Sequence, residues 1–120
     1  MVPPLLRLVV ILVAAHSAAV GIALTFFPEW ATSFAGFGPV RPLFLARQAG
    51  VFHLVLATGY LLDLRRGSVA LLVTAKSVAA VFLAASWLGG APGWAIPFSA
   101  AGDALMGLTA GWLARSTARR

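Results

Sequence analysis

The chain contains no cysteine, which removes disulfides, thiolate chemistry, Cys-ligated zinc and iron–sulfur clusters from consideration. Charge is nearly as scarce: of 120 residues, 10% are charged and 61% hydrophobic, with a mean hydropathy of +0.95. An ordinary soluble domain is about 45–50% apolar, and a soluble exterior needs more polar side chains than this chain has to cover it. A bilayer is therefore the expected solvent. The formal net charge is +6, but the basic residues sit at the ends of apolar stretches and in a short tail, without interleaved aromatics. Nucleic acid is not an expected partner on that pattern. Also missing are G-x-S-x-G, H-E-x-x-H and Walker motifs, which disfavours a soluble hydrolase, and no catalytic residue is singled out. The excess of Arg over Lys and the abundance of Ala and Gly are those of a GC-rich bacterial gene, so the bacterial cytoplasmic membrane is the expected location.

What the chain does have is long apolar runs. The spacing predicts four helices, over about 5–27, 43–62, 68–88 and 94–114, each near the 20 or so residues that cross a 30 Å hydrocarbon core. The first starts after Pro3-Pro4 and stops at Pro28. A cleaved signal peptide competes for that stretch, since Arg7 precedes apolar residues that end in a small-residue run, Ala14 to Ala19. The apolar run continues through Val20, Ile22, Leu24 and Phe26, too long for such a segment, which favours a retained helix. Residues 28–42 form the one long connection. Pro28 and Glu29 suit a helix start, and Trp30, Phe34 and Phe37 would lay a short helix in the membrane interface, before Gly36, Gly38, Pro39 and Pro42 break it. The turns 63–67 and 89–93 are short, so the second, third and fourth helices are expected as sequential antiparallel neighbours, with the first joined less tightly. The expected fold is all-α, a single integral membrane four-helix bundle over 1–120.

With four spans, Arg7, Arg65, Arg66, Arg115, Arg119 and Arg120 share one side, against Arg41 and Arg47 on the other. Positive residues favour the cytoplasm, so both chain ends are expected there. Trp30, Trp87 and Trp94 would then mark the outer interface, and Tyr60 and Trp112 the inner one.

Each apolar stretch carries one ionisable residue near its centre: His16, His53, Lys76 and Asp103. Ionisable groups at the midplane are costly and often mark ligand or proton sites. At 100° per residue His16 shares a face with Leu12, Ala19, Val20 and Ala23, and His53 shares one with Ala46, Ala49, Gly50, Ala57 and Tyr60. Asp103 lies beside Ser99, Ala100, Met106, Gly107 and Ala110, and Gly107 and Gly111 make a GxxxG match. Faces of small residues let helices approach closely, so Gly50, Gly107 and Gly111 are candidate packing positions. Lys76 has larger neighbours and needs a direct partner, for which Asp103 on the next helix is the obvious choice. Such a bridge can serve register alone. For each histidine the plain alternative to a functional role is a neutral imidazole bonded to Ser17, Gln48, Thr58 or a backbone carbonyl. Arg47 and Gln48 complete the candidate ligand or proton-binding set. Arg47 either snorkels to the interface or meets an anion or head group, with Glu29 as its lid partner.

Three functional classes fit these residues. One is a small carrier or ligand-binding bundle in which the four midplane groups handle a proton or a small polar, quinone-like ligand. A second is an accessory subunit of a larger membrane complex, or a homo-oligomer, that docks through its GxxxG face. Least favoured is a b-type haem protein with His16 and His53 as axial ligands; no other metal site is expected. The helix layout, with Phe26-Phe27-Pro28 closing the first helix, Gly36 and Gly38 in the connector and Phe44-Leu45-Ala46-Arg47-Gln48-Ala49-Gly50 opening the second, resembles the small four-helix bacterial membrane proteins of the DoxX-like group. That resemblance implies an integral membrane protein with a subunit role or a role near quinones, some members being associated with quinone-linked sulfur oxidation or redox homeostasis. It transfers no catalytic residue.

Overall fold

A computed structural model of the protein describes residues 2–119. Five helices follow one another: α1 (Pro4–Phe26), α2 (Pro28–Phe34), α3 (Leu43–Arg65), α4 (Ala70–Leu88) and α5 (Ala95–Ala118), with no strand among the described residues. Proline sets both early starts, because its fixed φ and missing N–H are harmless in a first helical turn: Pro4 opens α1 and Pro28 opens α2, with Glu29 in the first turn of α2.

Three of these helices, α1, α3 and α4, are long and apolar enough to cross a membrane. The fourth expected span, α5, has 24 residues, ample length at 1.5 Å per residue. Ser99, Asp103, Thr109 and the glycines at 102, 107 and 111 dilute its hydropathy, so it does not qualify on composition.

Helix contacts keep the expected sequential pairing of α4 with α5 but not that of α3 with α4, and α1 is joined more tightly than expected. The most extensive pairings are α1 with α3 and α4 with α5, while α3 and α4, joined by a short turn, touch little. The reason lies in missing side-chain volume. A Cβ on Gly21 would fall 2.8 Å from the Gly50 carbonyl oxygen, and one on Gly50 would fall 2.7 Å from the Thr25 backbone nitrogen. With no Cβ on either side, the α1 and α3 backbones come almost into direct contact. A short turn keeps helix ends together but does not choose which faces meet.

The connection from α3 to α4 is built more tightly than a polar turn needs. Helix α3 runs on to Arg65, and the Asp63 carboxylate accepts hydrogen bonds from the Leu71 N–H at 3.0 Å and the Ser68 hydroxyl at 3.1 Å. Ser68 Oγ in turn accepts from the Ala70 N–H at 3.1 Å. Two N–H groups that helix geometry leaves unpaired at the start of α4 are thereby satisfied, which moves that start from 68 to Ala70.

All four long helices meet in one core, where Leu6, Val10, Val13 and Ala14 of α1 pack with Tyr60, Leu72 and Ala110. Outside, the distribution is the reverse of a water-soluble protein. Leu88 is 81% exposed and Leu108 73%, whereas Lys76 is 4% exposed and Asp103 9%. Apolar side chains face out and the two charges nearest the helix centres face in, an arrangement that hydrocarbon favours and water penalises.

Candidate functional site

The buried charges form a pair. Lys76 Nζ of α4 donates to Asp103 Oδ1 of α5 at 2.7 Å. Its stem lies against a gap in α5: a Cβ on Gly107 would sit 3.2 Å from Lys76 Cβ, and one on Gly111 would sit 3.7 Å from Val73 Cγ2. The GxxxG face is therefore occupied within the chain by α4, and is not open as the docking surface considered from the sequence. In so dry a setting each charge is tolerable only with the other beside it.

His16 and His53 lie elsewhere, on the wall of one cleft of about 470 Å³. Ala19, Val20 and Ala23 continue the His16 side, and small side chains there leave the cleft its width. Ser99 of α5 also lines it, one helical turn, or about 6 Å of axial rise, from Asp103. Lys76 and Asp103 do not line the cleft. The four ionisable groups are thus not one cluster: two histidines line a cavity, and the ion pair lies outside its lining.

Hydrogen bonding separates the histidines from the partners considered for them. His53 Nδ1 is buried with no partner among the described residues, and so are Ser17 Oγ and Thr25 Oγ1. Thr58 spends its hydroxyl on the Leu54 carbonyl at 3.0 Å, and Gln48 is exposed. None of the three side chains considered satisfies His53. A buried, unpaired polar atom costs about 1–3 kcal/mol, so Nδ1 is a group that gains from a bound water or ligand.

One wall of the cleft is aromatic. Trp30 stacks on Phe34 at 5.4 Å, Phe34 meets Trp94 edge-on at 5.4 Å, and Trp94 meets Phe98 at 5.6 Å. All four residues line the cleft. The short helix α2 is fixed to the start of α5 by the Trp94 Nε1–H bond to the Phe34 carbonyl at 2.6 Å and the Ala95 N–H bond to the Ala35 carbonyl at 3.3 Å. Two glycines make this docking feasible: Gly36 has φ +84 and Gly93 has φ +103, and a Cβ on Gly93 would stand 3.0 Å from the Ala35 carbonyl oxygen. Sequence reasoning saw the amphipathic face of Trp30, Phe34 and Phe37. It missed the latch to α5, for which Gly93-Trp94 was the available signal.

Arg47 and Gln48 stand apart from the cleft on the exposed side of α3. Glu29, considered as a lid partner for Arg47, instead pairs with Arg41 at 3.2 Å. The correction has a simple cause: the connector folds back so that Arg41, 12 residues on, reaches the carboxylate. Among the described residues no group of three or more His, Cys, Asp or Glu side chains is placed to hold a metal ion, so a haem iron would have the two imidazoles as its protein ligands. No family model matches the chain, and neither does a curated protein or a solved structure.

Proposed function

We propose that the chain is a four-span protein of the bacterial cytoplasmic membrane, similar in kind to the DoxX-like group, whose cleft binds a quinone-like ligand: a flat apolar ring carrying polar oxygens. The observation that carries this reading is a cleft of about 470 Å³ lined by both His16 and His53 and by an aromatic wall, with His53 Nδ1 buried and unpaired within that imidazole. Ligand sites are typically concave and mostly apolar, with a few converging polar groups. Imidazole N–H groups donate to carbonyl oxygens, aromatic rings stack on a flat ligand, and a lipid-soluble ring reaches such a site from the bilayer. The Lys76–Asp103 pair fastens α4 to α5 outside the cleft lining.

Binding is tested on purified protein in nanodiscs by titrating a short-chain ubiquinone or menaquinone analogue and following quenching of Trp30 and Trp94. Saturable quenching is expected, weakened about 3–10-fold by His53→Leu, the range of one hydrogen bond of about 0.5–1.5 kcal/mol. Equal affinity in the His16→Leu/His53→Leu double variant would count against the site. A Soret band after haem-replete expression would reassign the two histidines to haem.

Crossing number has its own test, made clean by the lack of native cysteine. Single cysteines replacing Arg66 and Arg119 should both resist a membrane-impermeant maleimide from the periplasm, while one replacing Gly38 reacts. Labelling of position 119 together with position 38 would mean that α5 does not cross.

A further inference from the structure

A second recess lies beside the start of α2 and shares Trp30 with the histidine cleft. It has a volume of about 410 Å³ and is lined by Phe26, Phe27, Trp30, Leu43 and Arg47, with Glu29 at its edge. Arg47 is the fifth residue of α3, about 6 Å of axial rise inside the helix start, and its exposed side chain has no carboxylate within ion-pair distance among the described residues. The one acidic group facing the recess, Glu29, is already neutralised by Arg41 at 3.2 Å. Arg47 and Glu29 are the charged groups of its lining, and Arg41, outside the lining but paired with Glu29, brings the three together to one positive charge. Around that charge the walls are aromatic and open, with Phe26 67%, Phe27 62% and Trp30 62% exposed.

The geometry points to a bound anionic phospholipid, its phosphodiester on the Arg47 guanidinium and its acyl chains along Phe26, Phe27 and Trp30. A guanidinium grips two phosphate oxygens at once. Tryptophan is at home at head-group depth. The apolar walls add nothing for a free phosphate but cover the upper acyl chain of a lipid. The one carboxylate of the lining, Glu29, has the Arg41 guanidinium at 3.2 Å, so a choline or ethanolamine head would meet a cation there as well, and an anionic lipid is preferred to a zwitterionic one. This inference rests on the membrane placement and not on the ligand of the histidine cleft.

Native mass spectrometry of the full chain, released from nanodiscs of equal parts phosphatidylglycerol and phosphatidylcholine, tests it. The wild type is expected to retain phosphatidylglycerol preferentially, and Arg47→Gln to reduce that retention about tenfold with helicity unchanged, since the side chain is on the surface. Arg41→Gln, which frees the Glu29 carboxylate beside the phosphate, should reduce retention severalfold. Inorganic phosphate at millimolar concentration should not displace the lipid. Undiminished retention in Arg47→Gln, equal retention of the two lipids, or displacement by inorganic phosphate would each overturn the assignment.

Discussion

Replacing Asp103 with asparagine is expected to destabilise the protein by about 3–5 kcal/mol, the usual cost of removing one partner from a buried ion pair. Lys76, at 4% exposure, would be left buried without a counter-ion. Lys76→Met should cost about as much by stranding the carboxylate. The double variant Lys76→Met/Asp103→Leu should recover most of the loss, because two apolar side chains of similar volume incur neither desolvation penalty. Unfolding in detergent, followed by helicity, measures all three. Single variants as stable as wild type would mean that the pair is solvated in the folded protein. Were the double variant as unstable as the singles, packing and not charge would hold α4 to α5. The same double variant separates structure from chemistry: if it folds and still binds the quinone analogue, the pair is a fastening; if it folds and does not bind, the pair is part of the site.

Gly50→Val is expected to cost about 3 kcal/mol, the upper part of the range for overpacking. The atoms that a Cβ at Gly50 would meet are the Thr25 hydroxyl at 2.5 Å, the Thr25 backbone nitrogen at 2.7 Å and the Gly21 carbonyl oxygen at 2.8 Å. Two of the three belong to the backbone and cannot swing aside, so α1 and α3 must part. Gly102→Ala is the control: its Cβ would find only Met106 Cε, at 3.9 Å, and alanine should stabilise the helix by about 0.5–1 kcal/mol. Parting α1 from α3 also moves His16 relative to His53, since His53 is one turn beyond Gly50 and His16 lies five residues before Gly21. Quinone-analogue affinity should therefore fall together with stability in Gly50→Val. Wild-type stability in that variant would show that the two helices do not approach as closely as the glycines permit.

How far the site could be read from the sequence differs residue by residue. A lone Lys76 and a lone Asp103 on neighbouring apolar stretches ask for each other, because an unpaired charge at either place is too costly. Their separation of 2.7 Å and the gap at Gly107 that receives the Lys76 stem come from the fold. The small-residue face beside His16 could be drawn from 100° periodicity, and Ala19, Val20 and Ala23 do line the cleft with it. That His53 shares this cleft could not be drawn, since it depends on α1 docking against α3, its most extensive contact together with that of α4 on α5. The partners guessed for polar groups failed for two reasons: Glu29 takes Arg41 through the fold of the connector, which residue spacing does not encode, and Thr58 bonds the Leu54 carbonyl one turn back in its own helix, as a helical threonine can.

By itself the sequence determined that this is an all-helical chain with apolar helices between 4 and 118. Those features follow from local causes, namely hydropathy summed over a window and the backbone rules of proline and glycine. It also determined which residues share a face, because helical periodicity is a property of one segment. Only the tertiary structure decided which faces meet. It set Gly21 on Gly50, latched α2 to α5 through Trp94, opened one cleft onto two histidines and closed an ion pair outside its lining. Each of these depends on side-chain volume and hydrogen-bond geometry summed across helices far apart in the chain, and no window of sequence contains that sum.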